Sequence, residues 1–90
     1  MIKLPSQAVE VINRNALVIV ALKQGYNAYL PVYDHGIDLI LHNESTGDTK
    51  LVQLKGRWTI DKKYLNRNIW IAFPDSGDWY VVPFLSTARQ

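Results

Sequence analysis

Two stretches of the chain alternate apolar and polar residues on either side of a loop rich in turn formers. Ile37–His42 precedes the loop Asn43-Glu44-Ser45-Thr46-Gly47-Asp48, and Thr49–Lys55 follows it. This alternation predicts two antiparallel strands joined as a hairpin. If His42 pairs with Thr49 across the loop, Asp38 stands opposite Gln53, and such cross-strand neighbours lie about 5 Å apart. Lys55 then falls on the face of Gln53, one step along. Ile37, Leu39 and Leu41 take the other face, beside Val52 and Leu54. Three polar groups gathered on one side of an apolar strand pair serve no folding need.

Ahead of this hairpin, Pro5-Ser6 predicts a helix start with Ser6 as N-cap. Between Gln7 and Gln24 the apolar positions 8, 11, 12, 16, 18, 19 and 22 form a broad stripe expected to be buried. Gln7, Glu10, Asn13, Arg14 and Gln24 lie mainly elsewhere. Gly25 is suited to end the helix. Tyr26–Val32 reads as a strand, and Tyr33–Gly36 as a turn. Beyond a connector, Asn68–Phe73 and Trp79–Phe84 form a second predicted hairpin around the turn Pro74–Asp78, with Pro83 marking an edge strand. The order is helix, three strands, crossover, two strands. It predicts an α+β fold in which the N-terminal helix packs on a mixed five-stranded sheet. No repeat or linker interrupts residues 1–90, so they are read as one domain.

Composition supports a packed core, with 48% hydrophobic residues, three Trp, five Tyr and two Phe. The absence of cysteine excludes disulfides and thiolate metal sites. The first residues lack the apolar run of a signal peptide, and the run Ala16–Leu22 is far too short to span a bilayer. An intracellular protein that is neither secreted nor membrane-bound is the expectation. The net charge of +2 matters less than its distribution. Lys55, Arg57, Lys62, Lys63 and Arg67 are half of the ten basic residues, and only Asp61 opposes them in that interval. Such a strip suits a phosphate backbone. Trp58 and Tyr64 lie within it and are candidates to stack on bases or sugars.

Asp38 supplies an anionic oxygen and Gln53 a neutral amide oxygen, the donor types that Mg²⁺ accepts. The backbone carbonyl of Leu54 is a third candidate ligand. A divalent ion there would acidify a bound water, and Lys55 would balance charge on the phosphate or orient the nucleophile. One strand carboxylate is few for a metal site. Glu10, one turn into the helix on its polar side, is the candidate to add a second.

Taken together, these residues resemble the PD-(D/E)xK nuclease superfamily, also described as restriction-endonuclease-like or Holliday-junction-resolvase-like. The resemblance runs through a helix carrying Glu10, then Gly25-Tyr26-x-x-Tyr29-x-Pro31, Gly36-Ile37-Asp38-Leu39 and Val52-Gln53-Leu54-Lys55. It continues with a basic segment containing a tyrosine and ends near Val82-Pro83-Phe84. It implies a restriction-endonuclease-like minimal core and a metal-dependent DNA endonuclease using Mg²⁺, with Mn²⁺ as a substitute. Its catalytic residues would be Glu10, Asp38, Gln53 and Lys55. Asp38 would be the central ligand, Gln53 would replace the usual acid of the third strand, and Glu10 would assist metal or water binding. Arg57, Trp58, Lys62, Lys63 and Arg67 are the expected DNA contacts. Glutamine in place of an acid removes one charge, so the alternative is an inactive nuclease-fold domain that binds nucleic acid or serves in assembly. The aromatic hairpin and an edge strand point to a homo-oligomer, whose symmetry would set two sites on two DNA strands.

Overall fold

The computed structural model describes residues 2–33, 35–56 and 69–83. Among these residues one helix, α1 (Ser6–Lys23), precedes five strands: β1 (Asn27–Tyr29), β2 (Leu39–His42), β3 (Thr49–Leu54), β4 (Trp70–Asp75) and β5 (Asp78–Pro83). The strands lie in sequence order β1-β2-β3-β4-β5 in a single sheet. All neighbours are antiparallel except β3 and β4, which run parallel. A parallel pair requires a long connection, and residues 55–69 supply it. The expected α+β architecture, one helix on a mixed five-stranded sheet, is the one observed.

The helix begins one residue earlier than predicted. Pro5 is the N-cap in an extended conformation and supplies no side-chain cap hydrogen bond, so Ser6 is the first helical residue and not the cap. The C-terminal end follows the expectation. Gly25 adopts φ +91°, its N–H donates to Leu22 O at 3.1 Å, and Tyr26 N–H donates to Ala21 O at 2.9 Å. These two bonds are the Schellman pair that satisfies the last helical carbonyls. They turn the chain directly into β1, which is shorter than the predicted Tyr26–Val32.

The buried stripe of α1 differs from the predicted one. Leu17 and Ala21 are buried, whereas Val11, Ile12, Ile19 and Leu22 are exposed, Ile12 by 53% and Leu22 by 56%. The sheet-facing side runs through positions 10, 13, 14, 17 and 21, a spacing that stays on one helical face. Apolar residues occur around most of this helix, so periodicity alone could not pick the face that meets the sheet. The helix-side core joins Leu17 and Ala21 to Leu39, Leu41, Val52 and Ala72, with Leu54, Trp70 and Val81 packed around them. Burying a leucine as fully as Leu17 contributes about 2 kcal/mol.

Over residues 39–42 and 49–52 the register of the first hairpin is the predicted one, but the expected pairing of Asp38 with Gln53 does not form. His42 pairs with Thr49 and Leu39 with Val52. The loop sets it locally. Asn43 Oδ1 accepts from Ser45 N and Thr46 N at 3.0 and 3.2 Å, and Gly47, at φ +79°, donates to Asn43 O. An Asn side chain that bonds its own loop backbone closes the turn without help from the core.

One part of the face assignment is corrected. Leu39 and Leu41 face the helix, but Ile37 packs with Ile69, Ile71, Phe73 and Val82 in a second cluster. The regular ladder ends at Leu39–Val52, and Asp38 N–H donates to the same Val52 carbonyl at 2.8 Å. The pairing slips there by one residue, as in a β-bulge, and a slip of one reverses the side-chain alternation.

In the second hairpin, Asp75 pairs with Asp78 around a two-residue loop. Ser76 and Gly77 both have positive φ, +54° and +86°, the mark of a turn whose twist matches the strands. Pro74 therefore lies in β4, not in the turn as predicted. The β3 ladder reaches only Ala72, so the missing N–H of Pro74 breaks no rung with β3. Among the described residues, no helix is long and apolar enough to cross a membrane.

Candidate active site

The slip at Asp38 has a chemical result. Its carboxylate is drawn against β3, where Oδ2 accepts the backbone N–H of Leu54 at 2.7 Å. Asp38 thus grips Val52 through its own N–H and Leu54 through its side chain, the two residues that flank Gln53. A side-chain acceptor takes the place of a strand carbonyl at the last turn of the ladder. On the other side of β3, Lys55 N–H donates to Ala72 O at 2.8 Å, which anchors the strand end to β4. The backbone that carries Gln53 and Lys55 is held from both sides.

A cavity of about 250 Å³ opens at this end of the sheet, beneath the N-terminal half of α1. Asp38, Gln53, Leu54, Lys55 and Gly56 line it from the strands, and Glu10, Asn13 and Arg14 line it from the helix. Every residue expected for the catalytic set, Glu10, Asp38, Gln53 and Lys55, borders this one space. The sheet-facing side of α1 explains how Glu10 arrives there. It shares that side with Leu17 and Ala21, so packing the apolar half of the helix swings the polar half over the strand ends. Leu54 lines the cavity as well, while its side chain joins the helix-side core.

Gln53 Oε1 is buried and, among the described residues, has no hydrogen-bond partner. Leaving a buried carbonyl oxygen without a donor costs roughly 1–3 kcal/mol. Burial of a polar atom without a partner marks a position that folding alone does not account for. Among the described residues, no three His, Cys, Asp or Glu side chains group so that they could hold a metal ion. The cavity lining offers two carboxylates, Glu10 and Asp38, and two side-chain amides, Asn13 and Gln53, in place of three acids.

Sequence reasoning missed Asn13 and Arg14, which it placed away from the buried stripe. Their signal was there, since Arg14 follows Glu10 by four residues and must share its face. It also missed a polar cluster on the helix side of the sheet. Tyr26 OH donates to Asp48 Oδ2 at 2.6 Å, and Lys50 Nζ pairs with the same oxygen. Lys50 Nζ also sits 5.0 Å from the Tyr26 ring centre and 4.6 Å from that of Trp70. The hydrogen bonds from Lys50 and then Tyr26 outweigh desolvation and hold the Asp48 carboxyl below its usual range. For Lys50 burial acts to lower the pKa, but the bonds to Asp48 and Tyr26 prevail and raise it. His42 shares a 2.6 Å hydrogen bond with Thr49 across the hairpin, which gives it a local structural partner. Arg57, Trp58, Lys62, Lys63 and Arg67, the expected DNA contacts, lie outside the described residues.

The helix, the sheet order and the parallel β3–β4 step define a restriction-endonuclease-like fold. A solved structure that shares it is that of a bacterial homing endonuclease, I-Ssp6803I, with a TM-score of 0.58 and 24% sequence identity. The likeness covers 80% of this chain and 60% of that protein, so the present chain spans about three-fifths of its length. No protein-family profile and no curated protein matches the chain.

Proposed function

We propose that this chain is a nuclease-fold domain that holds the phosphodiester backbone of DNA at the cavity lined by Glu10, Asp38, Gln53 and Lys55. In its catalytic form it is a Mg²⁺-dependent endonuclease, with Mn²⁺ as a substitute. The observation that carries this form is the buried, partnerless Oε1 of Gln53 in the same cavity as two carboxylates. A hard cation accepts that donor set of carboxylate and amide oxygens. Asp38 and Gln53 would hold it, Glu10 would hold it or a water, and the Leu54 carbonyl is a further donor. When bound, such an ion supplies a Lewis acid for phosphate and acidifies water.

The chain's own residues account for the rest of the chemistry. The Leu54 N–H fixes the Asp38 carboxylate, so the acid need not reorganise when the substrate arrives. Lys55, set on the anchored end of β3, balances the negative charge that grows on the phosphate oxygens during attack. Arg57, Lys62, Lys63 and Arg67, which lie outside the described residues, are the proposed contacts for the flanking phosphate backbone. A second copy of the chain would present a second cavity to the other strand.

A non-catalytic form of the proposal has its own support, and by the count of acids it is the better supported. The described residues contain no three-acid cluster, and glutamine stands where a second strand carboxylate would complete one. In that form the domain binds nucleic acid or serves in assembly without turnover. Plasmid relaxation separates the two. Wild-type protein and Lys55→Ala are incubated with supercoiled, linear, branched and single-stranded DNA in Mg²⁺, Mn²⁺ or EDTA. Metal-dependent cleavage that Lys55→Ala suppresses supports the catalytic form. DNA binding without cleavage of any substrate in either metal selects the other, and absence of both binding and cleavage overturns the proposal.

A further inference from the structure

Arg14 is a half-buried cation on the sheet-facing side of α1, and it borders the same cavity as Lys55. Its position is hard to explain by folding. The neighbouring turns of this helix expose Val11, Ile12 and Ile19 to solvent while turning Arg14 inward. An arginine usually extends its stem over apolar surface and keeps its head group in water or on a carboxylate. Glu10 is placed four residues before it, in the order that favours a helical ion pair. Yet among the described residues Arg14 makes no ion pair. Glu10 and Arg14 share a cavity without neutralising each other.

We infer that Arg14 is a substrate-phosphate contact of this cavity, binding the non-bridging oxygens of the DNA phosphate that lies against Asp38 and Lys55. The inference rests on the DNA-binding reading above and adds to it a residue and a role. Charge supports it. The side chains bordering the cavity include two acids, Glu10 and Asp38, and two cations, Arg14 and Lys55. Were a divalent ion held by the acids, the cavity would carry an excess of two positive charges, which would match the doubly negative transition state of phosphodiester hydrolysis. Without Arg14 the excess would fall to one. Shape supports it too, because a planar guanidinium grips two phosphate oxygens at once, whereas an ammonium acts as a point charge. Arg14 is carried by a helix anchored one turn later by Leu17, so the contact is held in place before the substrate arrives.

The test uses the intact chain with Arg14→Met, which keeps the stem and the helix propensity, and Arg14→Lys, which keeps the charge. Equilibrium binding of a fluorescent DNA duplex is measured as a function of salt in Ca²⁺, and thermal unfolding of each variant establishes folding. The expected result for Arg14→Met is weaker binding with a salt slope lower by about one. Arg14→Lys should keep the slope. If the wild type cleaves DNA, removal of the contact should lower kcat by about 10²-fold, with Arg14→Lys recovering only part of it. A folded Arg14→Met with the wild-type affinity and slope overturns this inference and leaves the DNA-binding reading standing. A wild type that binds no DNA overturns both.

Discussion

Replacing Asp38 should reveal two separable roles in one carboxylate. In Asp38→Ala the Leu54 N–H loses its acceptor at 2.7 Å, at the point where the β2–β3 ladder has already ended. A hydrogen bond to a charged group typically contributes about 1.5–3 kcal/mol. Asp38 is only half-buried and borders an open cavity, so water can replace part of that bond. The loss should therefore sit near the lower end, roughly 1–2 kcal/mol. For a domain of this size that corresponds to a fall in Tm of roughly 4–16 °C. Asp38→Asn retains an oxygen that can accept from Leu54 while removing the charge. It should lose less than about 1 kcal/mol, because a neutral acceptor replaces a charged one without leaving the N–H orphaned. Under the catalytic form of the proposal, both variants should lose Mg²⁺-dependent nicking, since neither offers an anionic ligand at position 38. Urea unfolding at constant m reads the first role, and plasmid relaxation in Mg²⁺ against EDTA reads the second. Equal midpoints for wild type and Asp38→Ala would refute the anchoring argument. Wild-type nicking by purified Asp38→Asn would refute the ligand assignment.

Other substitutions test the packing and the polar cluster. Leu17→Ala should destabilise the chain by about 3 kcal/mol, whereas Ile12→Ala, at a position 53% exposed, should stay within about 0.5 kcal/mol of wild type in urea unfolding. The reverse order would mean that the other stripe of α1 faces the sheet. Gly25→Ala should cost roughly 1–2 kcal/mol from its φ of +91° alone, since the new Cβ meets Asn43 Nδ2 at an ordinary 3.6 Å. Crowding is thereby removed as an explanation, and Gly25→Asn, which tolerates this conformation better, should recover part of the loss in thermal unfolding. Asp48 has a carboxyl held below its ordinary value of 3.8 in the folded chain. Its contribution is therefore full above the unfolded pKa and is lost as pH falls through the folded one. Urea midpoints measured from pH 6 to pH 2 should fall more steeply in wild type than in Asp48→Asn, and parallel curves would show that the pair with Lys50 carries no net stability.

Local chemistry alone determined a good deal of this protein. The Asn43–Asp48 loop closes on its own backbone, so the pairing of His42 with Thr49 follows from residues adjacent in the chain. That pairing brings Asp38 to the end of β3, where it bonds the two residues that flank Gln53 instead of standing opposite Gln53 itself. The end of α1 was legible for the same reason, because Gly25 reaches positive φ without a Cβ and the capping bonds run within one turn. The candidate set Glu10, Asp38, Gln53 and Lys55 could be read from spacing and strand order, since one face of a hairpin carried polar groups that folding did not require.

Only the tertiary structure decided which side of α1 meets the sheet. Apolar residues surround most of that helix, and the choice between Leu17 with Ala21 and Ile12 with Ile19 depends on the shape of the surface beneath. That choice brought Arg14 and Asn13 to the cavity along with Glu10. The slip at Asp38 was equally hidden, because alternation is a property of a regular strand and gives no sign of where regularity stops. It arises where the Asp38 side chain competes with the backbone for the Leu54 N–H, a contact between residues sixteen apart that exists only once β2 and β3 have met.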